Sequence, residues 1–204
     1  MRKDDIISNQ EKNRKFFDRS VWFYETWIVK RINNTLQKRL LKVVEVRDNS
    51  KIIDVGCGTG SLLKLLSEEG KNLKLEGMDI SGKMIKEARK KIGKNARLFV
   101  GRVEDLDVKN KFDYIFTIDS FHHFADQEKV MDNFFNALKK DGQLVILDFS
   151  FGRFGNWLFK HFEPGNSKML LKGEFKGMFE RHEFRIVKQR RLGMFSVLTV
   201  GERV

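Results

Sequence analysis

The sequence predicts a three-layer α/β domain, a mainly parallel sheet with helices on both faces. Three observations carry that prediction. Across residues 51–150, short β-branched or aliphatic runs alternate with helical patterns, the order of successive strand–helix–strand units. The first unit turns on alternating glycines, Gly56, Gly58 and Gly60, between a buried strand and a leucine-spaced helix. The chain has 204 residues, 41% of them hydrophobic, which suits one domain with a proper core.

Taken in order, residues 11–32 read as one amphipathic helix, because Phe17, Val21, Tyr24 and Ile28 recur every three or four positions. Phe16, Trp22, Phe23 and Trp27 widen its apolar surface. A second helical stretch runs through Leu36, Leu40 and Leu41 to Val44, and Asp48-Asn49-Ser50 turns the chain into the first strand. Residues 1–50 are therefore expected to form a helical cap, and 51–204 the main domain. Ile52, Ile53 and Val55 make the first strand, and Ser61 to Leu66 opens the helix after the glycine turn. Glycine suits a sharp turn in which backbone lies against a ligand, so this is read as a nucleoside-cofactor turn. Leu73 to Met78 is the second strand, ending in Asp79, about 20 residues beyond the turn, where an acid can accept a pair of ribose hydroxyls. Ser81 caps a helix over Gly82–Ile92. Arg97 to Val100 and Phe112 to Ile118 are the third and fourth strands, and Asp119-Ser120-Phe121-His122-His123-Phe124 follows the fourth, where ligands sit in such sheets. Ala125–Leu138 is helical, Lys139 to Gly142 closes it, and Gln143 to Phe149 is the fifth strand. Phe151, Phe154, Leu158 and Phe162 share a helical face with Trp157 beside it and Arg153, Lys160 and His161 around it, and Pro164-Gly165-Asn166 ends that helix. A helix through Met169–Phe179 and an antiparallel pair, Arg185–Arg191 and Phe195–Val200, complete seven strands.

The pattern Asp54-x-Gly56-x-Gly58-x-Gly60 resembles motif I of the class I S-adenosylmethionine (SAM)-dependent methyltransferases, and is not the Gly-x-Gly-x-x-Gly spacing of dinucleotide sites. The His122-His123-Phe124 segment is similar to that of the ubiquinone- and menaquinone-biosynthesis methyltransferases. The match covers about residues 51–150. It implies a Rossmann-like seven-stranded fold and SAM as cofactor, converted to S-adenosylhomocysteine. It also implies cofactor contacts from Asp54, Gly56, Cys57, Gly58, Thr59, Gly60, Asp79, Ile80 and Met84. Val103, Glu104, Asp119 and Ser120 are expected to continue the site, although Arg102 stands where the family has an acid for the adenine. Tyr24, within Phe17-Asp18…Tyr24-Glu25, corresponds to a residue that closes over the methionine end. His123 and His122 are the candidate catalytic residues, each with a structural alternative in core packing. No metal is expected.

The net charge of +12 is carried by the flanks. Residues 1–50 hold 12 basic and 7 acidic residues, 51–150 hold 17 and 16, and 151–204 hold 11 and 5. The flanks also hold 15 of the 24 aromatic residues. An apolar wall with a basic rim points to a small, lipid-like or aromatic acceptor bordered by Tyr24, His123 and Trp157. Two alternatives stay open: an RNA-modifying methyltransferase using the basic flanks, and a nucleotide-binding oxidoreductase or non-catalytic Rossmann-like module. The absence of an Asp/Asn-Pro-Pro-Tyr motif and of a recognisable RNA-binding module argues against the first, and the glycine spacing against hydride chemistry in the second. The flanks are also compatible with a peripheral membrane contact, but no apolar run is long enough to cross one. The lone Cys57 and the charged N-terminus fit a reducing cytoplasm.

Overall fold

The computed structural model describes residues 3–162 and 168–204. The Pro164-Gly165-Asn166 turn lies outside the described residues, as do the side chains of Phe23, Ile28, Leu158, Lys160, His161 and Phe162. Two helices, α1 (Lys3–Tyr24) and α2 (Trp27–Leu41), precede the sheet. Strands and helices then alternate: β1 (Lys51–Val55), α3 (Ser61–Ser67), β2 (Lys74–Asp79), α4 (Gly82–Ile92), β3 (Ala96–Val100), β4 (Phe112–Ile118), α5 (Gln127–Ala137) and β5 (Leu138–Phe149). The chain finishes with α6 (Gly152–Phe162), α7 (Lys172–Arg181), β6 (Phe184–Arg191) and β7 (Ser196–Arg203). The sheet order is β3-β2-β1-β4-β5-β7-β6. The first five strands are parallel, and β7 runs antiparallel to both β5 and β6. The seven-stranded, mainly parallel sheet expected from the sequence is thus present.

Alternation along the strands makes the three layers, since successive side chains leave a strand on opposite faces. Ile53, Ile115, Leu144 and Ile146 join Val130, Met131 and Phe134 of α5 and Phe175, Met178 and Phe179 of α7 in one cluster. Ile52, Tyr114, Val145 and Leu198 join Leu40 of α2, Leu62, Leu63 and Leu66 of α3, and Ile85 and Ala88 of α4 in the other. Ser81 caps α4 as expected, its Oγ accepting from the Met84 N–H at 3.1 Å.

Several boundaries differ from the sequence reading: α1 reaches back to Lys3, α5 begins at Gln127 and α7 spans Lys172–Arg181, and two further differences have a local cause. The helix read over 11–32 is divided, because Thr26 takes an extended backbone (φ −63°, ψ 146°) ahead of α2 and makes no side-chain capping bond. The fifth strand begins at Leu138 rather than Gln143. Lys139 to Gly142 does form a tight segment, with Asp141 at φ 60°. It is held as an irregularity between the pairs Phe112–Leu138 and Tyr114–Gln143 rather than as a break in the sheet. Gly142 is required there, since a Cβ would sit 2.8 Å from the Lys139 carbonyl oxygen.

Candidate functional site

The carboxyl ends of β1, β2 and β4 surround a cavity of about 150 Å³. The glycine turn after β1 forms its floor. Gly56 and Cys57 N–H groups donate to the Met78 carbonyl at 2.8 and 3.0 Å, and Gly58 N–H donates to Asp79 Oδ2 at 2.9 Å. All three glycines have positive φ, 74°, 51° and 77°. Their surroundings differ. A Cβ on Gly56 would lie 2.5 Å from Ser120 Oγ, and one on Gly60 2.4 Å from Ile92 Cδ1, whereas one on Gly58 would meet nothing within 4 Å. Gly56 and Gly60 therefore serve packing, and Gly58 presents bare backbone to the cavity.

Four acids line this cavity: Asp54, Asp79, Glu104 and Asp119. Burial, reinforced by Asp79, pushes the Asp54 carboxyl up to about 8. Asp119 is raised to about 7 by burial and by Asp148, and its Oδ1 is buried without a hydrogen-bond partner. Asp79 is also raised by burial, though its two oxygens accept from the Gly58 and Ser81 N–H groups. Arg102 lines the cavity but directs its guanidinium to Asp105 at 2.8 Å, so it does not neutralise the acids. On a chain of net charge +12 this is a locally acidic chamber. The Cys57 thiol is pushed up by burial and by Asp54 and Asp79, which removes it as a nucleophile.

The roof comes from the N-terminal helices. Gln10, Asn13, Phe17 and Tyr24 of α1 and Asn33 and Gln37 of α2 line the cavity. Asp18 accepts from Ser81 Oγ at 2.6 Å, and Glu25 pairs with Lys91 at 3.3 Å, fastening α1 over α4. Gln10 is only 4% exposed, and neither of its side-chain polar atoms has a partner. Asn13 donates to the His123 carbonyl at 3.0 Å and leaves its own Oδ1 unpartnered. Gln10, Asn13 and Gln37 were not among the sequence candidates. The signal was available: Gln10, Asn13, Phe17 and Tyr24 fall at spacings of three, four and seven, so the buried stripe of α1 carries amides as well as rings.

The two histidines part company. His123 lines the cavity, with its ring edge-on to Phe17 at 4.9 Å. Burial and the neighbouring His122 hold its pKa well below the usual range, so it is neutral at pH 7 and a weak base. His122 turns inward, with Nδ1 2.5 Å from Asp148 Oδ1 and its backbone N–H donating to Asp148 Oδ2 at 2.8 Å. It does not line the cavity, nor does Gly60. Ile80, Met84, Thr59, Val103 and Ser120 do. Trp157 sits apart on α6, 57% exposed and 5.9 Å from Phe154, and lines neither the cavity nor the neighbouring cleft. No cluster of metal-ligating residues occurs among the described residues.

A family model described as a methyltransferase domain matches residues 46–184. The chain belongs to the methyltransferase domain family. Among known proteins, the chain is 31% identical over 113 residues to demethylmenaquinone methyltransferase of Thermotoga maritima, covering 55% of this chain and 49% of that one. It is 29% identical over 208 residues to malonyl-[acyl-carrier protein] O-methyltransferase of Acetivibrio thermocellus, covering 91% of this chain and 72% of that one. The first match thus spans about half the length of the relative. Among solved structures, the methyltransferase bound to the Trm112 activator of Haloferax volcanii has a TM-score of 0.81 at 17% identity, with 92% and 97% of the two chains covered, a likeness of fold.

SAM is the cofactor of this methyltransferase family and fold. The cavity fits it on several counts. SAM carries a sulfonium and an α-ammonium, and the chamber is acidic. Gly58 lines the cavity and has open space where a side chain would project. Unpartnered buried atoms of Gln10, Asn13, Gln37 and Asp119 await polar groups. A pH dependence follows. With Asp54 near 8 and Asp119 near 7, both carboxyls are largely protonated at pH 6. A bound cation favours their ionised forms, so binding releases protons, and SAM affinity is expected to rise from pH 6 to about pH 7.5, below the range in which an α-ammonium itself titrates. S-adenosylhomocysteine, without the sulfonium charge, should show a shallower rise. Calorimetry in buffers of differing ionisation enthalpy measures both; an affinity that is flat or falls with pH would sink the cationic-ligand assignment.

Proposed function

We propose that this methyltransferase modifies a small, lipid-like or aromatic acceptor that enters by a cleft beside the cofactor cavity. The observation that carries the reading is a junction. Asn33 and Asp119 line both the cavity and a second cleft, whose walls are Trp27, Leu36, Phe149, Leu192, Met194 and Phe195. A concave apolar cleft suits a small organic molecule, whereas a polynucleotide would call for a broad basic face. The names of the relatives, a demethylmenaquinone and a malonyl-carrier methyltransferase, agree with an organic acceptor.

In this reading Asp79 accepts the ribose hydroxyls, and Asp54 and Asp119 face the cationic methionine end. Glu104 and the Val103 N–H serve the adenine, Gly58 lies beneath the ligand, and residues 1–50 act as the cap. The bound cofactor supplies a methyl group already activated on sulfur, so the protein chiefly aligns the acceptor and excludes water. Tyr24 and Phe17 close that space from above, and His123 borders it as a neutral polar ring. Where the acceptor must lose a proton, the Asp119 carboxylate is better matched to neutral pH than His123.

The test is label transfer. Methyl-labelled SAM is incubated with the protein and a panel of phenols, quinols and acyl compounds, with bulk RNA as comparison. Label should appear in the solvent-extractable fraction. Label in RNA, lost as salt is raised, would replace this reading with the nucleic-acid one.

A further inference from the structure

We infer that the cleft beside the cofactor cavity is an anion-reading site, and that it takes amphipathic molecules whose carboxylate or phosphate is held by Arg31 and Arg39. The inference rests on the reading of that cleft as the acceptor's seat, and adds the chemistry of what it selects.

The argument starts from helix α2. Trp27, Arg31, Thr35 and Arg39 follow one another at intervals of four, and all of them line the cleft. Asn33 and Gln37 emerge on another side of the same helix and line the cofactor cavity. The helix is thus a partition with an arginine stripe on its cleft side. Nothing on α2 neutralises that stripe, since its sequence, WIVKRINNTLQKRLL, contains no acid. Nor do Arg31 and Arg39 make an ion pair with any other described residue. Thr35, midway between them, donates its hydroxyl back to the Arg31 carbonyl at 2.8 Å and so turns its donor away from the cleft.

The opposite wall is apolar. Met194 is 76% exposed and Phe195 48%, both in the turn between β6 and β7, and Trp27 is 72% exposed on the helix side. Arg191 fixes the turn, its Nη1 donating to the Met194 carbonyl at 3.0 Å. The acid lining the cleft is Asp119, at the junction with the cofactor cavity. An entering molecule therefore meets apolar surface along one wall, arginines along the other, and a carboxyl at the inner end. A guanidinium presents a planar fork of donors that matches carboxylate or phosphate oxygens. An amphipath with an anionic group satisfies both walls, while its reacting atom extends to Asp119.

The test is equilibrium binding to the protein saturated with S-adenosylhomocysteine, using decyl phosphate, decanol and inorganic phosphate below micellar concentration. Wild type is compared with Trp27→Ala and with the double variant Arg31→Gln/Arg39→Gln, all surface changes, with melting curves as a fold check. Decyl phosphate should bind at one site. The double variant should weaken it by about 30-fold, as expected when two solvent-exposed charge pairs at the upper end of their usual strength are lost. Decanol should bind more weakly and be indifferent to the arginines. Trp27→Ala should weaken both alkyl probes. If the double variant leaves decyl phosphate affinity unchanged while Trp27→Ala lowers it, the cleft is the seat of the ligand but does not read its charge, and this inference fails alone. If neither variant affects any probe, the cleft reading fails with it. Inorganic phosphate binding as tightly as decyl phosphate, or anionic vesicles binding where the monomer does not, would also overturn it.

Discussion

Gly58→Val is expected to reduce SAM affinity by more than about 100-fold while leaving a folded protein. Gly58 has φ 51°, so any side chain there carries a left-handed penalty of about 1–2 kcal/mol, which a domain of this size tolerates. Apart from its chain neighbours, no protein atom lies within 4 Å of its missing Cβ, so the new methyl groups are expected to enter the cavity that Gly58 lines rather than the core. Gly60→Ala is the contrasting variant. Its Cβ would collide with Ile92 Cδ1 at 2.4 Å and approach Ala88 Cβ at 3.1 Å, so its expected effect is on the melting temperature. Calorimetry and thermal melts on both variants separate the two roles. Retention of SAM binding within about threefold in Gly58→Val would show that the cavity is not the cofactor's seat.

Asp148→Ala is expected to have the largest effect on stability. Asp148 is 1% exposed and gathers three contacts: the His122 N–H at 2.8 Å, His122 Nδ1 at 2.5 Å and the Phe149 N–H at 2.7 Å. Removing the carboxyl strands buried polar groups at the carboxyl end of β5, at a cost of about 3–5 kcal/mol. For a chain of this length that corresponds to a fall in melting temperature of roughly 10 °C. Asp148→Asn keeps one acceptor oxygen and should fall in between. A loss of less than about 1 kcal/mol in the alanine variant would mean that the network does not order the segment carrying His122 and His123.

How much of this was legible beforehand depended on whether local chemistry or long-range packing set the outcome. The turn from Asp54 to Gly60 announced itself, because its backbone needs glycine whatever surrounds it. The Ser81 cap and the bounds of α4 were equally local. By contrast, nothing near His122 and His123 says which ring turns inward. That is decided by Asp148, 26 positions away, which claims His122 and leaves His123 at the cavity. Trp157 was expected at the acceptor, but it lines neither the cavity nor the cleft, whose walls include Trp27, Met194 and Phe195 from distant parts of the chain. Gln10, Asn13 and Gln37 were passed over because amides on an amphipathic helix read as a wet face. Their spacing places Gln10 and Asn13 on the stripe of Phe17 and Tyr24, but their burial comes from α1 docking onto α4, and that of Gln37 from α2 packing against α3.

The position of β7 bears on how the chain is made. Residues 196–203 are translated after both neighbours, yet they hydrogen-bond β5 on one side and β6 on the other. While the chain leaves the ribosome, β5 has an outer edge with no partner, and β6 has no strand to join it to the rest. Val197, Leu198 and Thr199, all 0% exposed in the finished molecule, are the plug for that gap. A nascent chain paused before Ser196 would display an open apolar edge, able to pair with the same edge on a chain from the next ribosome. The interval between the emergence of β5 and that of β7 therefore decides between closure and aggregation, and the demand for a holding chaperone falls there.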